Sequence, residues 1–286
     1  MPPSSARAAT PGLVAIALLT VYVVWGSTYL GIRVVVAEAP PLLAMGTRFA
    51  MAGVLLGLLL MLRGGWRRLL VTRRQLLSCA FLGLMLPLLG NGVVSIAEQD
   101  VPSGIAALLV ATTPLTITVF RALARDRPSR WTVLGVLVGF AGVGFLVLAG
   151  RGSTDAEIPL GPTLLVLVAA TCWGFGSWMQ PRLELPEDPF VMTSWEMLAG
   201  GLMTVATGAV LGERLDLASY STKAWVAWAY LIVFGSMVAF TAYVWVLGRA
   251  PISLVATYAY VNPVVAVFLG ALLLDEPVTV AILVGG

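Results

Sequence analysis

The chain of 286 residues contains no histidine, one lysine and two cysteines. The commonest general base, the commonest transition-metal ligand and the usual carrier of protons near neutral pH are therefore missing. Cys79 and Cys172 stand inside apolar runs with no CxxC-like spacing, so neither a disulfide nor a metal site is expected. With a single lysine and no GxxxxGK[ST], a Walker-type nucleotide site is excluded, and GxSxG and HExxH are missing too. No catalytic residue, metal or cofactor is assigned, and the protein is expected not to be an enzyme. What remains are polar side chains set in apolar surroundings, which is chemistry for binding rather than for making bonds.

Three charges matter most, because a charge inside an apolar segment is expensive. Arg48 and Glu196 each sit seven or eight residues inside an apolar run, about 10 Å from its start at 1.5 Å per residue. Glu98 ends a stripe formed by Asn91, Ser95 and Glu98. A zwitterion needs a donor for its carboxylate and an acceptor for its ammonium, which makes Arg48 and Glu98 candidate partners. The competing reading is that Arg48 snorkels to the outer headgroups and Glu196 to the cytoplasmic side.

Other polar residues recur at helical spacing and so form single faces. They are Tyr22, Gly26, Tyr29 and Arg33; Trp173, Ser177 and Gln180; Ser236, Phe240 and Tyr243; and Ser253, Thr257 and Tyr260. Two prolines, Pro114 and Pro263, fall near the middle of apolar runs and are expected to break their helices, freeing the carbonyls of Val110 and Ala259. Thr112 and Thr113 flank the first break; Tyr258, Tyr260 and Asn262 flank the second. The substrate-facing set is accordingly Trp25, Tyr29, Asn91, Ser95, Thr112, Trp173, Ser177, Tyr243, Tyr258 and Asn262. Trp66, Trp131, Trp225 and Trp228 lie at helix ends and read as interfacial anchors.

These residues need a scaffold, and the composition supplies one. Hydrophobic residues make up 59% of the chain and charged ones 11%, against about 25% charged in soluble domains. The expectation is an all-α polytopic membrane protein, its helices at roughly 12–35, 41–62, 76–97, 103–121, 131–150, 161–181, 189–211, 225–247, 252–274 and from about 278. The tenth helix is expected to be incomplete in this sequence. Basic residues cluster at Arg7, in the 63–74 loop and in the 121–130 loop, which places those loops and the N-terminal tail, residues 1–11, in the cytoplasm. Their clustering in short loops argues for topology and against a nucleic-acid partner.

Pro102, Pro114 and Pro128 recur 149 residues later as Pro251, Pro263 and Pro277, and Trp25-Gly26 recurs as Trp173-Gly174. Two five-helix repeats, 12–150 and 161–286, are expected, and an odd number of helices makes them inverted. Gly53/Gly57 and Gly135/Gly139 form GxxxG pairs for close packing, and Pro87 to Gly92 reads as a hinge.

The phrases VYVVWGSTYLGIR, WGFGSWMQP, VPSGIAALLVATTPL and APISLVATYAYVNPVVAVFLGALLLDEP, in this layout, resemble the EamA-type family of the drug/metabolite transporter superfamily. The resemblance spans essentially the whole chain. It implies a multi-pass transporter of the bacterial inner membrane that exports small metabolites. Among members, the length and composition resemble the YddG-like exporters of aromatic and other neutral amino acids. The residues alone leave other solutes open: a nucleobase, a drug, a sugar phosphate, or a passive channel. The expected partners are a small-molecule substrate and the lipid bilayer, and one chain holding both repeats can form the path as a monomer.

Overall fold

The computed structural model describes residues 11–125, 129–150 and 159–286. The N-terminal tail with Arg7, and Arg127, Pro128 and Arg151, lie outside the described residues. Among those described there is no strand. The helices are α1 (Pro11–Val36), α2 (Pro41–Gly64), α3 (Arg73–Ala97), α4 (Ser103–Leu123), α5 (Arg130–Gly150), α6 (Leu160–Met179), α7 (Pro189–Val210), α8 (Thr222–Leu247), α9 (Ile252–Leu273) and α10 (Val280–Gly285). Seven of them, α1, α2, α3, α4, α6, α8 and α9, are long and apolar enough to cross a membrane. At 22 residues α7 has the length as well, but Thr193, Ser194 and Glu196 dilute its apolar character.

Helix starts follow local chemistry more than hydropathy. Helix α3 begins at Arg73 rather than 76, because Thr72 and Gln75 form a reciprocal capping box. Ser221 accepts from the Ala224 N–H and starts α8 at Thr222 rather than 225.

Small residues set the tightest packing. In hydrocarbon, apolar side chains gain little from leaving their surroundings, so helices associate where backbones can approach closely. A Cβ added at Gly201 of α7 would lie 2.3 Å from the Ala50 nitrogen of α2, and one at Gly53 would lie 2.6 Å from the Leu198 nitrogen. On the other side of α7, a Cβ at Gly200 would meet the Gly83 carbonyl of α3 at 2.6 Å. Helix α7 is thus wedged between α2 and α3 with backbone against backbone.

Two helices depart from regular α geometry at matching places. Leu84–Gly92 of α3 and Leu231–Phe240 of α8, whose first residues are 147 apart, both wind as π-helix. Pro87 gives the first a cause, since it cannot donate to the α ladder. The second contains no proline.

The mid-helix prolines behave differently from one another. Helix α4 does break, at Ala111–Thr112 just before Pro114, and the Thr113 hydroxyl donates to the freed Val110 carbonyl at 2.7 Å. Pro263 does not break α9. It lies inside the continuous stretch Tyr258–Leu273, and the interruption falls earlier, at Ala256–Thr257. A proline removes one hydrogen bond and its φ suits a helix, so flanking packing can carry the helix through.

Gly201→Leu should therefore cost about 3 kcal/mol or more by forcing α2 and α7 apart. The expected result is loss of a monodisperse detergent-solubilised species, with Leu202→Ala on the exposed face as a tolerated control.

Candidate functional site

The polar residues converge on one cavity within the bundle. Its walls come from α1 (Trp25, Thr28, Tyr29, Ile32), α2 (Arg48, Phe49), α3 (Gly90, Asn91, Val94), α4 (Val110), α6 (Ala169, Ala170, Trp173), α8 (Phe240) and α9 (Tyr258, Asn262). Six of the ten residues that sequence spacing singled out are therefore on the lining: Trp25, Tyr29, Asn91, Trp173, Tyr258 and Asn262. Arg48 of α2, a candidate by its charge, is on the lining too, whereas Phe49 beside it carried no polar stripe that could have revealed it.

The other four sit behind the wall. Ser95 donates to the Gly92 carbonyl and Thr112 to the Leu109 carbonyl, so both hydroxyls are spent within their own helices. Ser177 and Tyr243 share a 2.7 Å hydroxyl contact beneath the lining. Pro114 and Pro263 also stay off the lining.

Arg48 turns inward rather than toward the headgroups, and is 2% exposed. Its Nε donates to Ser236 Oγ at 2.9 Å and its Nη1 to Asn91 Oδ1 at 3.4 Å, so the guanidinium joins the two π segments. It also lies over the Phe49 ring, 4.7 Å from the centroid. Room for it exists because residue 235 is glycine; a Cβ there would lie 3.0 Å from Nη2. Among the described residues Arg48 forms no ion pair, and no acidic side chain lines the cavity. A desolvated cation facing a cavity without a counter-charge is a place for an anionic group.

An aromatic floor completes the lining. Trp25 packs edge-on to Trp173 (5.4 Å between centroids) and Tyr258 (5.3 Å), and tilted on Tyr243 (4.8 Å). The Trp25 indole N–H donates to the Gly235 carbonyl at 3.0 Å, which fixes the ring against the second π segment. Gly90 admits Trp173, whose ring edge would be 2.7 Å from a Cβ at that position. The Asn262 amide, oriented with its nitrogen toward the backbone, donates to the Tyr22 and Tyr258 carbonyls at 3.1 Å each. The cavity thus combines one cation with a set of aromatic rings.

Glu98 and Glu196 do not line it. Both are 0% exposed, and neither carboxyl has a hydrogen-bond partner. Arg33 instead reaches the Glu98 backbone carbonyl.

One end of the bundle is closed by carboxylates that cap helix N-termini across the two halves of the chain. Glu38 accepts from the Ser221 N–H and hydroxyl, both at 2.7 Å, at the start of α8. Glu213 accepts from the Leu42 and Leu43 N–H groups of α2 at 3.2 and 2.7 Å. Glu276 accepts from the Ser103 N–H and hydroxyl, both at 2.9 Å, and from the Gly104 N–H of α4 at 3.2 Å. Each uses the positive end of a helix dipole. At the opposite end Arg68 pairs with Asp188 at 2.6 Å.

Comparison with known proteins bears on the role of this cavity. Residues 12–148 and 161–286 match the EamA-like transporter family. An uncharacterized inner membrane transporter, YedA of Escherichia coli K12, is 40% identical over 255 residues, covering 89% of this chain and 80% of its own. The uncharacterized transporter YoaV of Bacillus subtilis is 26% identical over 275 residues, covering 95% and 92%. A solved crystal structure shares the fold at a TM-score of 0.69 and 19% identity, covering 95% of this chain and 92% of the other.

The Glu38 clasp is sensitive to pH. The Ser221 N–H, then the Ser221 hydroxyl and Lys223, hold the Glu38 carboxyl below the usual carboxylate value. A lowered folded value means that the clasp contributes at neutral pH and is lost as pH falls through it. Thermal denaturation in detergent should show wild type losing stability on acidification, and Glu38→Gln should flatten that acid limb.

Proposed function

Since the chain belongs to the EamA-like transporter family, and is thus a multi-pass membrane transporter of small molecules rather than an enzyme, we propose that it exports neutral and aromatic amino acids. The observation that carries this reading is Arg48, a buried guanidinium lining the same cavity as a cluster of aromatic rings. The guanidinium receives the carboxylate, with Asn91 and Ser236 holding it in place. Trp25, Trp173, Phe240 and Tyr258 take the side chain. A sugar phosphate fits poorly, because a dianion calls for two or more cations and, among the described residues, Arg48 is the one cation on the lining.

The proposed architecture is ten membrane crossings in two inverted five-helix repeats, 12–150 and 161–286. The matching π segments in α3 and α8 support it, as do the reciprocal clasps between halves. The proposed orientation puts the N-terminus and the 63–74 loop in the cytoplasm of a bacterial inner-membrane protein. Transport proceeds by rocking of one repeat against the other around the fixed cavity. Opening the clasped end breaks the Glu38, Glu213 and Glu276 contacts; opening the other breaks Arg68–Asp188. The proposed path lies within one chain, between its two repeats.

A second reading is favoured by one specific feature. Among the described residues the lining carries no carboxylate for an ammonium group, so an aromatic acid without an amine would suit the same site.

Counterflow with purified protein in liposomes separates these. Labelled L-phenylalanine should exchange for unlabelled, and Arg48→Gln should cut exchange at least about tenfold, the loss of one charge-assisted contact. If 3-phenylpropionate exchanges and L-phenylalanine does not, the second reading replaces the first. The absence of trans-stimulation by either would indicate a passive channel.

A further inference from the structure

The α6 stripe of Trp173, Ser177 and Gln180 crosses three levels of the bundle, and only the first belongs to the cavity. Trp173 is on the cavity lining. One turn on, Ser177 meets Tyr243 of α8 hydroxyl to hydroxyl at 2.7 Å, which joins the two helices beneath that lining. One turn further, Gln180 lines a second hollow, between the ends of α6 and α8 and the start of α7, at the end of the bundle opposite the clasps. Helix α8 keeps the same order, with Phe240 on the cavity, Tyr243 in the contact, and Val244 and Leu247 in the hollow. The hollow has about 330 Å³ of room, enough for a small-molecule site, against about 50 Å³ in the cavity. In this conformation it is the hollow that admits a solute.

Two opposite charges line this hollow. Of the three acidic residues on the link between α6 and α7, Glu184 pairs with Arg74 and Asp188 with Arg68. Glu187, the one that lines the hollow, makes no ion pair among the described residues. Arg249, just past the end of α8, lies over the Trp245 ring, 4.8 Å from its centroid, and donates to the Trp245 carbonyl at 3.3 Å. It lines the same hollow and has no ion pair either. Gln180 adds a third polar group: the residue is 5% exposed, and its amide oxygen is buried without a hydrogen-bond partner. A buried acceptor left unpaired costs about 1–3 kcal/mol, which a bound donor removes. An acid and a base that share one hollow without pairing are placed to receive the two ends of a zwitterion.

We propose that this hollow is a second solute site, a mouth that binds a zwitterionic amino acid before it reaches the cavity. Glu187 and the Gln180 amide oxygen take the ammonium, Arg249 takes the carboxylate, and Leu183, Val244 and Leu247 take the apolar side chain. The mouth thereby supplies the recognition of an amine that the cavity lining, among the described residues, does not. The solute passes on to Arg48 when the Ser177–Tyr243 contact opens. In the orientation proposed above this end faces the cytoplasm, where an exporter meets its cargo. The inference rests on the reading of the chain as an amino-acid transporter, but it concerns residues that this reading did not use.

Protection of a thiol placed in the mouth tests this. A Cβ at Gly248, which lines the hollow, would meet the Trp245 and Val244 carbonyls at an ordinary 3.9 Å, so Gly248→Cys fits there. In the purified full chain carrying Gly248→Cys and Cys172→Ala, with Cys79 fully buried, an impermeant maleimide should label the new thiol, and L-phenylalanine should slow the labelling. Adding Arg48→Gln should leave that protection in place. Glu187→Gln and Arg249→Gln, both at exposed side chains, should each raise the half-protecting concentration about fivefold, the upper end for a solvent-exposed charge pair. Without the added thiol, the same two variants should raise the KM of L-phenylalanine counterflow by a similar factor at an unchanged maximal rate. The acid 3-phenylpropionate, which lacks the ammonium, should protect only at about fivefold higher concentration. Counterflow of L-phenylalanine with no protection, or protection and KM unmoved in both charge variants, overturns the mouth and leaves the amino-acid reading standing. So does protection lost in Arg48→Gln, since the thiol would then report the cavity. Equal protection by 3-phenylpropionate overturns the zwitterion site. Charge-dependent protection without counterflow upholds the site and removes amino-acid transport, and neither signal in wild type overturns both.

Discussion

A guanidinium placed in an apolar bundle without a carboxylate beside it is the constraint around which the middle of this protein is arranged. Arg48 would be costly anywhere in hydrocarbon, and here it is held by a hydroxyl, an amide oxygen and an aromatic face rather than by an opposite charge. The hydroxyl and the amide come from two π-helical segments, Leu231–Phe240 and Leu84–Gly92. A π turn shifts the register of the residues beyond it, and such turns gather at functional positions. The same two segments supply Gly235, which leaves room for the guanidinium and accepts from Trp25, and Gly90, which leaves room for Trp173. Cation, floor and irregular backbone thus depend on one another.

The rest of the bundle divides into contacts that resist movement and contacts that can be exchanged. Helix α7 against α2 and α3 belongs to the first kind. Backbones that meet with no room for a Cβ cannot slide without losing their packing. The clasps belong to the second kind. Glu38, Glu213 and Glu276 each hold a helix N-terminus by two or three hydrogen bonds that water can replace when the end opens. A carrier that rocks requires both, a firm axis and ends that come undone at modest cost.

Much of this was legible from spacing, and the failures have identifiable physics. Tyr29 and Trp173 stand on periodic stripes, and periodicity survives any detail of packing, so the face each lies on could be read directly. Arg48 was visible as a buried charge, yet its direction was not. Snorkelling and inward burial differ only in the surroundings of the side chain, and the partners Ser236 and Asn91 are 188 and 43 residues away. Ser95 and Thr112 were polar in the right helices but are consumed by their own backbone carbonyls three residues back, a competition that composition cannot reveal. Pro114 and Pro263 look equivalent, and one helix breaks while the other continues, because neighbouring packing decides whether a missing N–H becomes a break. The π segment in α8 has no proline and left no mark in the sequence at all.

If the cavity holds the solute as proposed, the distribution of charge narrows the range it can serve. A dianion would leave one excess negative charge once Arg48 had paired with it, and a solute with no anionic group would leave Arg48 without a counter-charge. A single carboxylate neutralises the site, and the aromatic floor then rewards an apolar body of matching size. A zwitterion must also place its ammonium, and within the lining the neutral acceptors are amide, hydroxyl and carbonyl oxygens. Hydrogen bonds to neutral oxygens satisfy an ammonium less well than a carboxylate does. Bringing Glu98 into contact would supply one, but its carboxyl lies outside the lining at the clasped end.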